Sequence, residues 1–178
     1  MMKLNFILLP ALTWCFSQAA YGQENVEITW HNPEKYRDVR PSNGGKQKFM
    51  NLTFKRIDQY MLKLAKTLPK SQRLVITVSD LDLAGQVWPA SFAGFGAGMT
   101  DIRVVKSVDI PRINFAYQLL SADGKIVKQA QVELKDLNFM ASSNMPFSSD
   151  SLHFEKNMLK RWFKQEFPRI EQVANSSS

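Results

Sequence analysis

The spacing of apolar positions changes several times along the chain, and each change marks an element. Val26, Ile28 and Trp30 bracket the polar Glu27 and Thr29, the period of two that predicts a short strand. Asn32-Pro33 and the run from Arg40 to Gly45 then read as turns, with Pro41 turning Arg40 away from helix. From Lys46 the period becomes helical: Met50, Phe54, Ile57, Met61, Leu64 and Leu68 recur at steps of three and four. That spacing puts them on one core-facing stripe, with Lys48, Lys55, Gln59, Lys63 and Lys66 on the opposite side and Pro69 closing the helix. A Met-rich stripe at this spacing is assigned to the core rather than to a ligand groove.

Leu74, Ile76 and Val78 next alternate in a β-rich run that continues through Leu83, but Leu81 and Leu83 have the opposite parity. A bulge near Ser79 restores a single apolar face; without one, Asp80 and Asp82 would point the way Leu74 does. Gly85 to Met99 reads as a long loop with four Gly and with Trp88, Phe92 and Phe95. Strands are predicted over 102–105 and along Ile113, Phe115, Tyr117 and Leu119. Asp123-Gly124 then joins the second of these to 126–134 as a hairpin. A last helix follows Asp150 or Ser151 as its cap, with Leu152, Leu159 and Phe163 on its apolar face. Strands and helices do not alternate strictly. The predicted fold is therefore α+β, an antiparallel sheet of four to five strands with both helices packed on one face.

The first 22 residues depart from this pattern. Lys3, the apolar stretch Phe6 to Phe16 and the small-residue ending Ser-Gln-Ala-Ala-Tyr-Gly have the layout of a secretory signal. Cleavage is expected after Gly22, with Ala20 as the second choice. The apolar run is interrupted by Pro10 and is shorter than the roughly 20 residues of a spanning helix, so no membrane anchor is expected in the mature protein. The bulky Trp14 before Cys15 does not fit a lipid-attachment site. The expected organisation is a signal peptide over 1–22, one domain over 23–173 and a fraying tail over 174–178, in the periplasm or, as the lesser alternative, secreted. Since Cys15 is the only cysteine, the mature chain has no thiol chemistry and no disulfide.

At 178 residues, 44% apolar and 22% charged, the composition is that of a globular domain. Charge is unevenly placed. Between Glu34 and Arg73 there are eleven Lys and Arg against three acids, a local +8 in a mature chain of +6. Such a surface suits an anionic envelope component such as lipid phosphates, lipopolysaccharide or an acidic protein, but a plain solvated helix face is the favoured reading of the charge alone, since charge runs are usually just solvated. Nucleic acid is disfavoured by export and by the lack of a recognisable binding module. The candidate binding residues are Lys48, Lys55, Lys63 and Lys66 on the helix and Trp88, Phe92 and Phe95 in the loop.

Catalytic groupings are sparse. Asp80-Leu-Asp82-Leu-Ala-Gly85 imitates the opening of a calcium loop, but Ala84 and Ser91 occupy places where ligands belong. Asp80 and Asp82 share a strand face, and the simplest role for them is charge pairing with Arg103 or Arg112 from neighbouring strands. His31 and His153 are far apart in sequence and form no metal signature. There is no Gly-x-Ser-x-Gly elbow and no dinucleotide loop, so neither cofactor nor metal is expected. The favoured reading is a non-enzymatic binding module; the alternative is a hydrolase using Asp80 and Asp82 with a His.

Several stretches together resemble an uncharacterised family of exported proteobacterial proteins, the domain of unknown function three-zero-one-six. They are Val26-Glu-Ile-Thr-Trp30, the segment Asn32 to Arg40, Asp80-Leu-Asp-Leu-Ala-Gly85, Asp101 to Lys106, Pro111-Arg-Ile113, Asp136-Leu-Asn138 and Ser151 to Lys156. They span nearly all of the mature chain; Ala90 to Met99 is the least typical part. The resemblance implies a Gram-negative source and an envelope address, and it brings no activity, cofactor or catalytic residue.

Overall fold

Among the described residues, six strands and two long helices form around one core. In chain order they are β1 (Val26–Trp30), α1 (Lys46–Ala65), β2 (Arg73–Asp82), β3 (Gln86–Trp88), β4 (Ile102–Val104), β5 (Arg112–Leu120), β6 (Ile126–Lys135), a helical turn α2 (Phe139–Ser142) and α3 (His153–Glu166). The computed structural model describes residues 25–36, 39, 45–88, 102–142 and 150–168. The expected leader over 1–22, the expected fraying tail over 174–178, Phe92 and Phe95 lie outside the described residues.

The main sheet has the order β1-β2-β5-β6, and β3 pairs with β4 in a separate two-stranded sheet. The main sheet is mixed, which corrects the antiparallel expectation: β1 and β2 are parallel, with Val26 opposite Leu74 and Trp30 opposite Val78. The cause is the connection. α1 is 20 residues long and carries the chain back along the sheet before β2 begins, as a parallel pair requires, whereas the short connection from Leu120 to Ile126 makes β5 and β6 antiparallel. Pro69 acts at a distance from the helix end: α1 closes at Ala65, and Thr67 and Leu68 donate to the Leu64 and Ala65 carbonyls in tighter turns that bring the chain to the proline.

The β2–β5 register shifts between Val78 and Asp80, where the parity of the leucines calls for a bulge. Leu74, Ile76 and Val78 before the shift and Leu81 and Leu83 after it are all buried. From β5, Ile113, Phe115, Tyr117 and Leu119 join them, and α1 and α3 cover this face with Met50, Phe54, Ile57, Met61, Leu159 and Phe163. The other face shows Thr29, Thr77, Gln118 and Gln129 to solvent. Trp30 fixes the β1 edge: its ring stacks on Phe54 at 4.0 Å and its indole N–H donates to Asp58 at 3.0 Å. Burial pushes the Asp58 carboxyl above its usual range, and the indole proton pulls it the other way. Tyr36 lies beside this pair with its hydroxyl proton between the His31 and Val78 carbonyls, 3.0 and 2.9 Å away. Burial, with the nearby charges of Asp80 and Glu34, pushes its ionisation up to about 12, so it stays a donor.

Candidate functional site: the basic helix layer

At 100° per residue, Lys48, Lys55, Lys63 and Lys66 fall within a sector of about 80° on α1 and its last turn. All four are exposed, and they run for about 27 Å along the helix axis. Leu52 and Gln59 lie in the same sector, and Leu52 is 54% exposed. The flanks of α1 are committed elsewhere. Asp58 faces Trp30 of β1, while Arg56 reaches toward α3, donating to Asp150 at 2.8 Å and Ser151 at 2.9 Å. The outward sector is therefore left to lysines, and none of the four forms an ion pair among the described residues.

α3 extends the charged surface. Arg56 meets the start of α3, and Leu64 and Thr67 border a groove with Lys160, Phe163, Lys164, Phe167 and Pro168, so the two helices lie side by side in the same direction. Lys160 and Lys164 are exposed, one turn apart and outside every ion pair among the described residues. Cations here suit the negative end of the helix dipole, but two at i, i+4 also repel each other by a few tenths of a kcal/mol. The nearby acid is already taken: Glu166 accepts from Lys128 at 2.6 Å and from the Tyr117 hydroxyl. Those two donors, Lys128 first, hold its carboxyl below the usual range, while burial and Glu166 push the Tyr117 phenol up.

A second polar cluster sits where β2, β4 and the start of α3 meet. The Arg103 guanidinium donates to the Ala84 carbonyl at 2.5 Å, to the Ser151 carbonyl and to Glu155 at 2.5 Å. The same Glu155 oxygen accepts the Ala84 N–H at 2.8 Å. Its other oxygen is buried and has no hydrogen-bond partner among the described residues. Next to this cluster Asp150 accepts from Arg56, Lys156 and the Leu152 N–H, so it organises the turn before α3 rather than capping the helix at its first residue. Burial pushes the Asp150 carboxyl up, but Lys156, the Leu152 N–H and Arg56 outweigh it and leave it below its ordinary value. These contacts tie the β3–β4 hairpin to the helix layer. Arg103, Arg56 and Lys156 each already face a carboxylate, Glu155 for the first and Asp150 for the other two.

The remaining sequence candidates are dispersed. Asp82 lies opposite Arg112 in the register, 3.7 Å from its guanidinium, and Asp80 lies opposite Asn114 and is exposed. Arg103 meets Glu155 instead of either aspartate, because β4 pairs with β3 and not with β2. Trp88 is half-buried on β3, a strand within the stretch expected to be loop; it donates to Gln86 at 3.3 Å and carries the Lys106 ammonium 5.1 Å from its ring centre. His31 is exposed beside Asn32, and His153 contacts the Asp150 carbonyl at the other end of the chain. Gly85, sixth in the calcium-like stretch, has a packing role: at φ +78 it passes against Val104 and Val105 of the hairpin. Lys160 and Lys164 did not emerge from the apolar pattern of the last helix. Their signal is the i, i+4 spacing from Lys156 to Lys164, which gains meaning only once α3 is known to lie beside α1.

Comparisons with curated proteins and with solved structures gave no match. A family model described as "Protein of unknown function (DUF3016)" matches residues 24–165, which take in every element from β1 through nearly all of α3. The chain therefore belongs to the DUF3016 family.

Proposed function

We propose that the protein is a non-enzymatic module that is exported to the periplasm and attaches to an anionic lipid surface through its helix layer. The observation that carries this reading is the sector of α1 holding Lys48, Lys55, Lys63 and Lys66, exposed and without acidic partners among the described residues, with Leu52 exposed among them. Export is supported by the tripartite leader in the sequence. No helix among the described residues is long and apolar enough to cross a membrane, so attachment through a surface is in keeping with the fold. A lysine near an anionic bilayer contributes about 1 kcal/mol, and the attraction fades over a Debye length of about 8 Å at physiological salt.

The test is co-sedimentation of the mature chain with phosphatidylglycerol vesicles and with phosphatidylcholine vesicles across a salt series. Binding confined to the anionic vesicles and weakening steeply with salt supports the reading. Equal binding to both, or binding insensitive to salt, removes the basic sector from any role.

A further inference from the structure

We propose that the groove between the C-terminal ends of α1 and α3 takes one acyl chain of an anionic phospholipid, with the lipid phosphate held between Lys160 and Lys164. The inference rests on the lipid-facing reading of the helix layer and names the ligand which that layer receives. The groove has a volume of about 500 Å³, within the range of roughly 300–1,000 Å³ typical of small-molecule sites. Phe163 is buried at its floor, Leu64 and Phe167 are half-buried beside it, and the surface they offer is mainly apolar. The polar groups at the rim are Thr67, Lys160 and Lys164. Thr67 donates its hydroxyl proton to the Leu64 carbonyl at 2.8 Å, so the two ammonium groups are the donors left for a ligand.

Charge and shape together select the occupant. Cβ atoms at i and i+4 on a helix lie about 5–6 Å apart, a separation from which two flexible lysine stems can bring their ammonium groups to one phosphate. The mutual repulsion of Lys160 and Lys164 is relieved by an anion bound between them. A free phosphate would use the lysines and leave the apolar floor wet; an uncharged acyl chain would fill the floor and leave the cations unanswered. A phospholipid satisfies both, and the exposed lysines of α1 lie on the same helix layer to meet the headgroups around it.

The probe is lysophosphatidylglycerol below its micelle-forming concentration, titrated into the mature chain by calorimetry. The expected result is one site, weakened about tenfold or more both in a Lys160→Gln/Lys164→Gln variant and in Leu64→Gln. Glycerol 3-phosphate, which has a phosphate but no chain, is expected not to compete. Leu64 is half-buried, so its substitution risks the fold; the lysine pair is exposed and keeps the test decisive. A lysolipid carrying a brominated chain is also expected to quench Trp162, whose ring lies 5.8 Å from Phe167 and 6.1 Å from Phe163. Anionic vesicles that bind while the lysolipid does not, or a lysolipid affinity unchanged in the lysine variant, would overturn the groove and leave the surface reading intact. Loss of vesicle binding is the separate result that removes the surface reading.

Discussion

Replacing Arg103 by Met isolates the buried Glu155 carboxylate. The Glu155 side chain is 1% exposed and the Arg103 side chain 15%, so the pair is nearly closed to solvent. Removing one partner of such a pair costs about 3–5 kcal/mol, because the remaining charge stays buried without compensation. Water reaching the exposed edge of Arg103 places the cost toward the lower end, about 3 kcal/mol. With a urea dependence of about 2 kcal/mol per molar, the unfolding midpoint is expected to fall by about 1.5 M. Glu155→Gln in the same chain removes the stranded charge and keeps an acceptor for the Ala84 N–H. The double variant is then expected to recover about 2 kcal/mol, measured as the coupling term of a double-mutant cycle. Hydrogen exchange at Ala84 reports the site directly, since its amide donates to Glu155. A loss below about 1 kcal/mol for Arg103→Met, or a double variant as weak as the sum of the single ones, would refute the view that this pair locks the β3–β4 hairpin onto α3.

Gly85→Ala is expected to destabilise the hairpin by more than the roughly 1 kcal/mol of an ordinary positive-φ substitution, because the added Cβ runs into the Val104 carbonyl and the Val105 side chain; thermal unfolding measures it, and a neutral result contradicts the close approach. Acid should weaken the fold through Glu166 and Asp150. Both carboxyls are held below their ordinary values of 4.5 and 3.8, so their contribution is complete above those values and is lost as pH falls through the lower folded ones. Urea midpoints at pH 6 and pH 3 are expected to differ less in Glu166→Gln than in the unaltered chain, and an identical difference would speak against the Lys128–Glu166 contact.

Much of the framework was legible because alternation and helical period are local. The parity change between Val78 and Leu81 was enough to locate the β2 bulge, and Asp123-Gly124 marked the β5–β6 turn, where Gly124 adopts φ +79. The mixed sheet was not legible from strand patterns, since direction is set by the α1 crossover and not by any residue of β1. Glu155 reads in sequence as an ordinary acid in the first turn of a helix. Its burial depends on Arg103, 52 residues earlier, and on a hairpin whose first strand lies in the stretch expected to be loop. The candidate site divided in the same way: the lysine sector of α1 follows from a single helical period, whereas the groove needs α1 and α3 side by side.

The most direct measurement compares the partition of residues 23–178 onto phosphatidylglycerol vesicles before and after Lys48, Lys55, Lys63 and Lys66 are all changed to Gln. At about 1 kcal/mol for each lysine, the loss approaches 4 kcal/mol, a fall of two to three orders of magnitude in the partition constant. Arg at the same four positions should preserve binding, and so should Lys125→Gln at the β5–β6 turn, where Lys125 already faces Asp123 at 2.8 Å. A change of less than about threefold for the four-Gln chain, against the orders of magnitude expected, would contradict a lipid-facing role for α1.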